Sequence, residues 1–469
     1  MDPTEIVCLI RDSFTQGIPP FNDSILPQPY SITLDSSRLD FLGIDIKTVS
    51  LSKDSNLQII YCDKAKYTAL QKIKDAYFDF SREINNIDKK RISSDILQGL
   101  IAKYSPLIPQ LLQIPTQIPT NSLLEYLKEE YGNLSQRLRR NNPFESVGNS
   151  IFLNRAAIKL ANIDAIYHLT GLISNYVRKT VDNIFKFCDL AGGPGGFSEY
   201  LLYRCPQSLG YGITLKGEKG LDWSIDKLDL NRFKIFYGDD NTGNLYTNWN
   251  WFIDKVGALD GENIDLIVAD GGFDVDTSGD YERQEFLTSR LILTECLIGL
   301  SLLKKGGSFV VKVFDTVTEI SAQTLYILSC CFEKISIFKP VSSRWGNSER
   351  YVICWSRHGR ESIVPYVNLL REITKYYKTP PNNKNSNSEG VFVSSFLKNK
   401  LPEDFTLWLT LQNNQSIDRI SSTFNLTVSF DDYQKLLADK IKISRIPTSY
   451  DTRKALILWN LPSTPQREK

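Results

Sequence analysis

Short continuous apolar runs alternate with longer stretches in which apolar residues recur every third or fourth position, and this alternation marks out the elements of the chain. The run ending at Asp189 (Phe187-Cys-Asp) is followed by Leu-Ala-Gly-Gly-Pro-Gly-Gly and then by Phe197, Tyr200, Leu201 and Leu202 at helical spacing. This predicts a strand, a glycine turn and a helix whose first N–H groups face a ligand. Further strands are predicted at Gly210–Leu215, Lys234–Tyr237, Ile264–Ala269 and Ser308–Val313, and near 334–339 and 351–355, with a helix from about Arg283 to Leu303. Strand and helix taking turns predicts an α/β fold, a Rossmann-like doubly wound domain spanning about 121–378.

Outside that block the pattern weakens. Residues 1–120 form an N-terminal accessory region of mixed α/β character, with a strand-like Leu57–Tyr61, an amphipathic helix from Lys64 to about Ile87, and Pro106, Pro109, Pro115 and Pro119 breaking the chain into turns. Ser122-Leu-Leu-Glu125 predicts a capped helix start, the helix ending near Arg140. Residues 379–390 are a polar linker, and 391–469 a small C-terminal appendage with pieces at 405–411, 433–443 and 455–459.

Composition narrows the chemistry. The chain of 469 residues has no apolar run long enough for a membrane span, and Met1-Asp-Pro-Thr-Glu lacks the basic and apolar regions of a signal peptide, so an intracellular protein without a membrane partner is expected. Two histidines and eight cysteines with no C-x-x-C argue against a metal site, a Ser-His-Asp triad and disulfides. A net charge of +1 excludes a generally basic coat, leaving room only for local basic clusters at 137–159 and 334–360. Catalysis therefore falls to lysines, carboxylates or a bound ligand.

The glycine turn is not a dinucleotide fingerprint, because G-x-G-x-x-G is absent and Pro194 interrupts it; it suits a ligand with ribose hydroxyls and a zwitterionic tail, as in S-adenosylmethionine. Four charged residues are spaced from it: Lys159 in Leu153-Asn-Arg-Ala-Ala-Ile-Lys, Asp270 in Asp-Gly-Gly, Lys312 in Phe309-Val-Val-Lys-Val-Phe, and Glu349 in Ser342-Ser-Arg-Trp-Gly-Asn-Ser-Glu-Arg-Tyr. Taken singly, each has a plain reading as a solvated lysine, a turn or a surface charge pair. Lys312 stands apart because it interrupts an apolar strand, where an unpaired ammonium is costly.

In this order, with Gly212-Ile-Thr-Leu-Lys-Gly217 between them, these motifs resemble the Lys-Asp-Lys-Glu tetrad of the FtsJ-like ribose 2′-O-methyltransferases, above all the cap-specific mRNA enzymes that act on the first transcribed nucleotide. The resemblance covers roughly 137–356. It implies S-adenosylmethionine as cofactor, held by Asn154, Asp189, Ala191, Gly192, Gly193, Pro194, Gly195, Gly196, Phe197, Thr214, Leu215, Asp270 and either Asp239 or Asp240 at the adenine. It implies the 5′ end of capped mRNA as substrate, met by Arg139, Arg140, Arg344, Asn347 and Glu349, with Tyr281, Glu282 and Gln284 as candidates for the cap guanine. The flanking regions are where other capping or transcription proteins could attach, and the likeness favours the nucleus over the cytoplasm.

The chemistry can be argued beside the likeness. A ribose hydroxyl needs a base to take its proton, and a neutral Lys312 is the candidate. Burial and a neighbouring Lys159 favour the neutral amine, whereas Asp270 and Glu349 oppose it, so the four are a coupled set. Asp270 is expected to orient Lys312 and the sulfonium, and Lys159 and Glu349 to hold the ribose. Two other readings stay open: a methyltransferase of uncapped rRNA or tRNA, and a non-catalytic RNA-binding subunit of a capping complex.

Overall fold

A computed structural model describes residues 30–31, 43–50, 58–88, 92–115, 117–133, 136–137, 139, 142, 144–145, 152–171, 184–218, 220–272, 284–377, 391–425, 431, 434, 455–456, 459 and 461. Its centre is a seven-stranded sheet. The strands are β2 (Phe185–Leu190), β3 (Ser208–Ile213), β4 (Phe233–Phe236), β5 (Ile264–Ala269), β6 (Leu303–Val313), β7 (Phe332–Phe338) and β8 (Arg350–Arg357), in the order β4-β3-β2-β5-β6-β8-β7. The first five run parallel; β8 is antiparallel to both β6 and β7. The chain leaves β2 toward β3 on one side and reaches β5 on the other, so the crevice beyond the ends of β2 and β5 is the topological switch point where such sheets bind ligands.

Side chains of a strand alternate between faces, and the alternation sorts them cleanly here. Phe187, Leu266, Val268, Val310, Tyr351 and Ile353 pack on the face covered by α4 (Arg155–Tyr167) and α5 (Gly196–Arg204). Leu190, Ile267, Ala269, Phe309, Val311, Val313 and Val352 pack on the opposite face, against α6 (Leu245–Asp260), α7 (Gln284–Leu302), α8 (Glu319–Cys331) and α9 (Arg360–Ile373). All six residues of β5 are buried, as a central parallel strand covered on both sides requires.

The flanks meet each other. Strand β1 (Ile44–Ser50) pairs antiparallel with β9 (Val391–Leu397). Helices α1 (Lys64–Asn85), α2 (Ser94–Tyr104) and α3 (Thr120–Tyr131) share a separate core with Ile417, Ile420 and Phe424 of α10 (Glu403–Phe424). Helix α1 follows its apolar period, burying Tyr67, Leu70, Tyr77, Phe80 and Ile84, and Asp63 caps it through bonds from the Ala65 and Lys66 amides. Tyr30 bridges to Ile335 and shields the edge of β7.

Two local expectations are corrected. The described part of the strand-like Leu57–Tyr61 joins no strand; the Ile60 and Tyr61 amides both bond to the Val317 carbonyl, a pairing with one acceptor that cannot propagate as a ladder. Helix α3 starts at Thr120 after Pro119 with no side-chain cap, which places Ser122 inside the first turn, and it stops at Tyr131 rather than near Arg140. The stop is imposed from outside: the Gly132 carbonyl accepts from Ser81 Oγ at 2.7 Å and Asn85 Nδ2 at 2.6 Å, both on α1. Among the described residues, seven cysteines are free and buried, no cluster suited to a metal ion occurs, and no helix is long and apolar enough to cross a membrane.

Candidate active site

The face that carries α4 and α5 also carries the chemistry, and strand parity explains why. On β5 the residues 266 and 268 point to this face, so Asp270, just past the strand, does too. On β6 the same holds for Val310 and Lys312, and on β8 for Tyr351, with Glu349 one step before the strand. Lys312 and Tyr351 are directly opposite in the β6–β8 register. Lys159 comes down from α4, one turn in from its start.

The four charges join through a fifth group that the sequence reading did not assign. Lys159 Nζ lies 2.8 Å from Glu349 Oε1 and donates to the Tyr351 hydroxyl at 3.3 Å. Tyr351 in turn donates to Asp270 Oδ1 at 2.6 Å, and Lys312 Nζ lies 3.1 Å from that same oxygen while donating to the Asp270 carbonyl at 2.6 Å. Gly271 and Gly272 let this happen: a Cβ on Gly272 would sit 2.9 Å from Lys312 Cε. Tyr351 could have been found from its place two residues after Glu349, on the same strand face, but an aromatic in an apolar strand reads as core.

Lys339 was also missed. Its buried Nζ lies 2.8 Å from each of the Asn347 carbonyl, Asn347 Oδ1 and the Glu349 carbonyl, closing the 339–349 loop into a clasp, and burial pulls its pKa well below the ordinary lysine value. Ser343 Oγ donates to Glu349 Oε1 at 2.6 Å, fixing the carboxylate that Lys159 meets.

Electrostatics follow from this packing. Burial opposes the charge on Glu349, yet Lys159, Lys312 and Lys339 hold its carboxyl well below the usual range. Burial alone pulls the Lys312 ammonium down, but Asp270 and Glu349, together with the Asp270 hydrogen bond and Glu295, raise it above its ordinary value. The carboxylates win, so these surroundings favour the ammonium form of Lys312 over the neutral amine a base requires. A cation placed beside it works in the opposite direction.

The glycine turn lies at the ends of β2 and β3. Ala191 and Gly195 take left-handed backbone conformations (φ 49° and 114°), and the Gly193–Pro194 peptide is cis. Side chains have no room here: a Cβ on Gly193 would lie 1.6 Å from the Leu221 carbonyl oxygen, one on Gly192 2.2 Å from Asp189, and one on Gly196 2.2 Å from Asn154 Oδ1. Ala191, Gly193 and Pro194 remain partly exposed at the crevice, whereas Gly192, Gly195, Gly196 and Phe197 are buried. Thr214 ties the turn to β3 by accepting from the Gly193 amide at 3.2 Å, and Leu215 beside it is exposed.

Burial and hydrogen bonding differ among the expected cofactor ligands. Asp189 is fully buried and one of its oxygens receives Ser198 N and Oγ (3.1 and 2.6 Å), capping α5, while its other oxygen has no hydrogen-bond partner among the described residues; Phe197 lies against the Tyr351 ring. Asn154 caps α4 through Ala156 N at 2.9 Å, touching the start of α5. Asp240 is engaged by donors from Thr242, Thr247 and Asn248, which hold its carboxyl down to about 2, while Asp239 is exposed and takes only a backbone amide among the described bonds. Of the two adenine candidates, Asp239 is the one with an available carboxylate.

Of the expected substrate residues, Arg139 and Arg344 reach one carboxylate, Glu145, with Arg344 Nη2 at 2.9 Å from Oε1 and Arg139 Nε at 4.0 Å. Asn347 is half-buried and its side-chain oxygen is committed to Lys339. Gln284 opens α7. Arg140, Tyr281 and Glu282 lie outside the described residues.

Residues 152–357 match the model of the FtsJ-like methyltransferase family, the segment that holds every element of the tetrad and the glycine turn. Over these residues the chain is similar to an FtsJ-like methyltransferase domain. It is 39% identical over 252 residues to the cap-specific mRNA (nucleoside-2′-O-)-methyltransferase 1 of Drosophila melanogaster, and 37% identical over 255 and 234 residues to proteins of the same name from Xenopus laevis and Homo sapiens. These alignments cover 51%, 50% and 46% of this chain but only 32%, 29% and 27% of the relatives, so the chain spans about a third of their length or less.

Proposed function

We propose that this protein transfers a methyl group from S-adenosylmethionine to the ribose 2′-oxygen of the first transcribed nucleotide of capped mRNA. The observation that carries the reading is the junction of Lys159, Asp270, Lys312 and Glu349 through Tyr351, at the switch-point crevice beside a glycine turn that admits no side chains. The names of the relatives supply the substrate class.

The residues present fit the cofactor: a turn whose partly exposed backbone can approach a zwitterionic tail, an exposed carboxylate at Asp239, and a carboxylate at Asp270 able to face a sulfonium. When bound, S-adenosylmethionine supplies an electrophilic methyl group and a positive charge beside Lys312. That charge opposes the carboxylates that keep Lys312 protonated and favours the neutral amine. Lys312 would then accept the proton from the 2′-hydroxyl as the oxygen bonds to the methyl carbon and the carbon–sulfur bond breaks, its electron pair leaving with sulfur as a neutral thioether, and the resulting ammonium would be held by Asp270. Lys159 and Glu349, fixed by Ser343 and Lys339, grip the sugar from the other side. Proximity and orientation of this kind account for much of an in-line displacement.

The test is transfer of a labelled methyl group to a capped oligonucleotide by the full chain. Lys312→Ala is expected to lower the rate by at least about a hundredfold, the usual worth of a positioned base, with cofactor affinity little changed. Equal transfer to capped and 5′-triphosphate RNA would point instead to an uncapped substrate. Cofactor binding without turnover on either would mark a non-catalytic subunit.

A further inference from the structure

Arg155 is the first residue of α4, and Lys159, which grips Glu349, is one turn further on the same helix. Residues so spaced share a helix face with Cβ atoms about 5–6 Å apart, comparable to the step from a ribose to the phosphate beside it. Arg155 converges with Arg139 and Arg344 on Glu145. Arg344 donates to Glu145 Oε1 at 2.9 Å and Oε2 at 3.4 Å, Arg155 Nη1 touches Oε2, and Arg139 Nε stands 4.0 Å from Oε1. Burial, with Arg344 close by, lowers the Arg155 guanidinium to about 10.

We infer that Arg139, Arg155 and Arg344 form a phosphate site flanking the methylated ribose, and that Glu145 occupies this site in the RNA-free protein until an RNA phosphate displaces it. The inference rests on the proposed ribose chemistry and adds to it Arg155 and the competing carboxylate. Three guanidinium charges face one carboxylate, while the neighbouring Lys159–Glu349 pair is balanced, so the cluster keeps an excess of positive charge. The carboxylate presents two oxygens to planar forks, the arrangement that arginine offers equally to a phosphate. Glu145 is anchored by its backbone amide to the Asn142 carbonyl at 3.1 Å and by a long bond from Asn142 Nδ2 at 3.4 Å; its side chain is 27% exposed, which leaves it a path into solvent.

The experiment measures binding of two probes, a short capped oligonucleotide and inorganic tripolyphosphate, across a range of salt. Glu145→Gln removes the competing charge and is expected to tighten both by about fivefold at low salt, the advantage shrinking as salt rises. Arg155→Met is expected to weaken both by about tenfold while leaving S-adenosylmethionine affinity unchanged. Unchanged or weaker binding in Glu145→Gln would overturn the inference, since Glu145 would then only hold the arginines in place; unchanged binding in Arg155→Met overturns it without reference to the first variant. If tripolyphosphate responds as expected but capped RNA is not methylated, the phosphate site stands and the proposed substrate falls. If methyl transfer proceeds and neither variant shifts binding, the site alone falls.

Discussion

Residue by residue, the site is a chain of shared protons and charges, and its two unforeseen members set its behaviour. Tyr351 donates to the Asp270 oxygen that also faces Lys312, so it draws off part of the charge that keeps Lys312 protonated. Tyr351→Phe removes that donor, strengthens the Asp270–Lys312 attraction and raises the lysine further. Since transfer needs the neutral amine, the rising limb of the pH–rate profile should move to higher pH, with rates near pH 7 lower by about three- to tenfold. An unmoved limb would remove Tyr351 from the proton balance. Lys339 acts at one remove, through the clasp that presents Glu349. Lys339→Met should cut kcat by about 10- to 100-fold, because small misplacements are costly in such sites. Its cofactor dissociation constant should stay near wild type, and in Lys339→Met/Glu349→Gln the two losses should fail to add. The sequence exposed the tetrad because charges beside apolar strands are conspicuous. It hid Tyr351 and Lys339 because an aromatic in a strand and a lysine in a loop are ordinary until their partners, distant in sequence, are known.

At the scale of elements, the alternation of strand and helix located the parallel sheet closely, and strand parity then brought Asp270, Lys312 and Tyr351 to one face. What it could not show was the division of labour around the glycine turn. Helix α5 has Gly195 as its N-cap and no side chain capping it from that position, so the task passes to Asp189 at the end of β2. Burial pushes the Asp189 carboxyl up to about 7, with a further push from Asp270, against the two bonds from Ser198. An unfolded aspartate ionises near pH 3.9, so from about pH 4 to about 7 the folded chain keeps a proton that the unfolded chain has lost, and this group's contribution to stability falls as pH rises. Asp189→Asn does not titrate. Urea unfolding should find variant and wild type close at pH 4 and the variant gaining relative to wild type up to about pH 7, each tenfold change in proton affinity being worth about 1.4 kcal/mol. A difference that does not vary with pH would mean that Asp189 is ionised in the folded protein.

In the whole molecule the flanks, which carried no readable chemistry as sequence, converge on the strands around the tetrad. The pairing of β1 with β9 was not visible because its two halves lie some 340 residues apart and each looks like a short apolar run of no fixed partner. The junction is Asn413 of α10, fully buried. Its amide donates to the Tyr61 carbonyl at 2.7 Å and the Thr316 carbonyl at 2.8 Å, and its oxygen accepts from Thr316 Oγ1 at 2.7 Å and Arg350 Nη2 at 2.9 Å. One side chain thus ties both flanks to the exit of β6 and to the residue after Glu349, using its whole hydrogen-bonding capacity. Arg350 also donates to the Phe314 carbonyl at 3.1 Å, so the ends of the strands bearing Lys312 and Glu349 are braced against each other from behind. Asn413→Leu keeps similar bulk but takes the partner from two buried carbonyls and a hydroxyl and removes one acceptor of Arg350, a loss of about 2–4 kcal/mol by the usual cost of unsatisfied groups. If the flanks brace the site, the variant that remains folded should also lose turnover on capped RNA well before its cofactor affinity changes. Destabilisation with normal turnover would restrict the flanks to holding the fold.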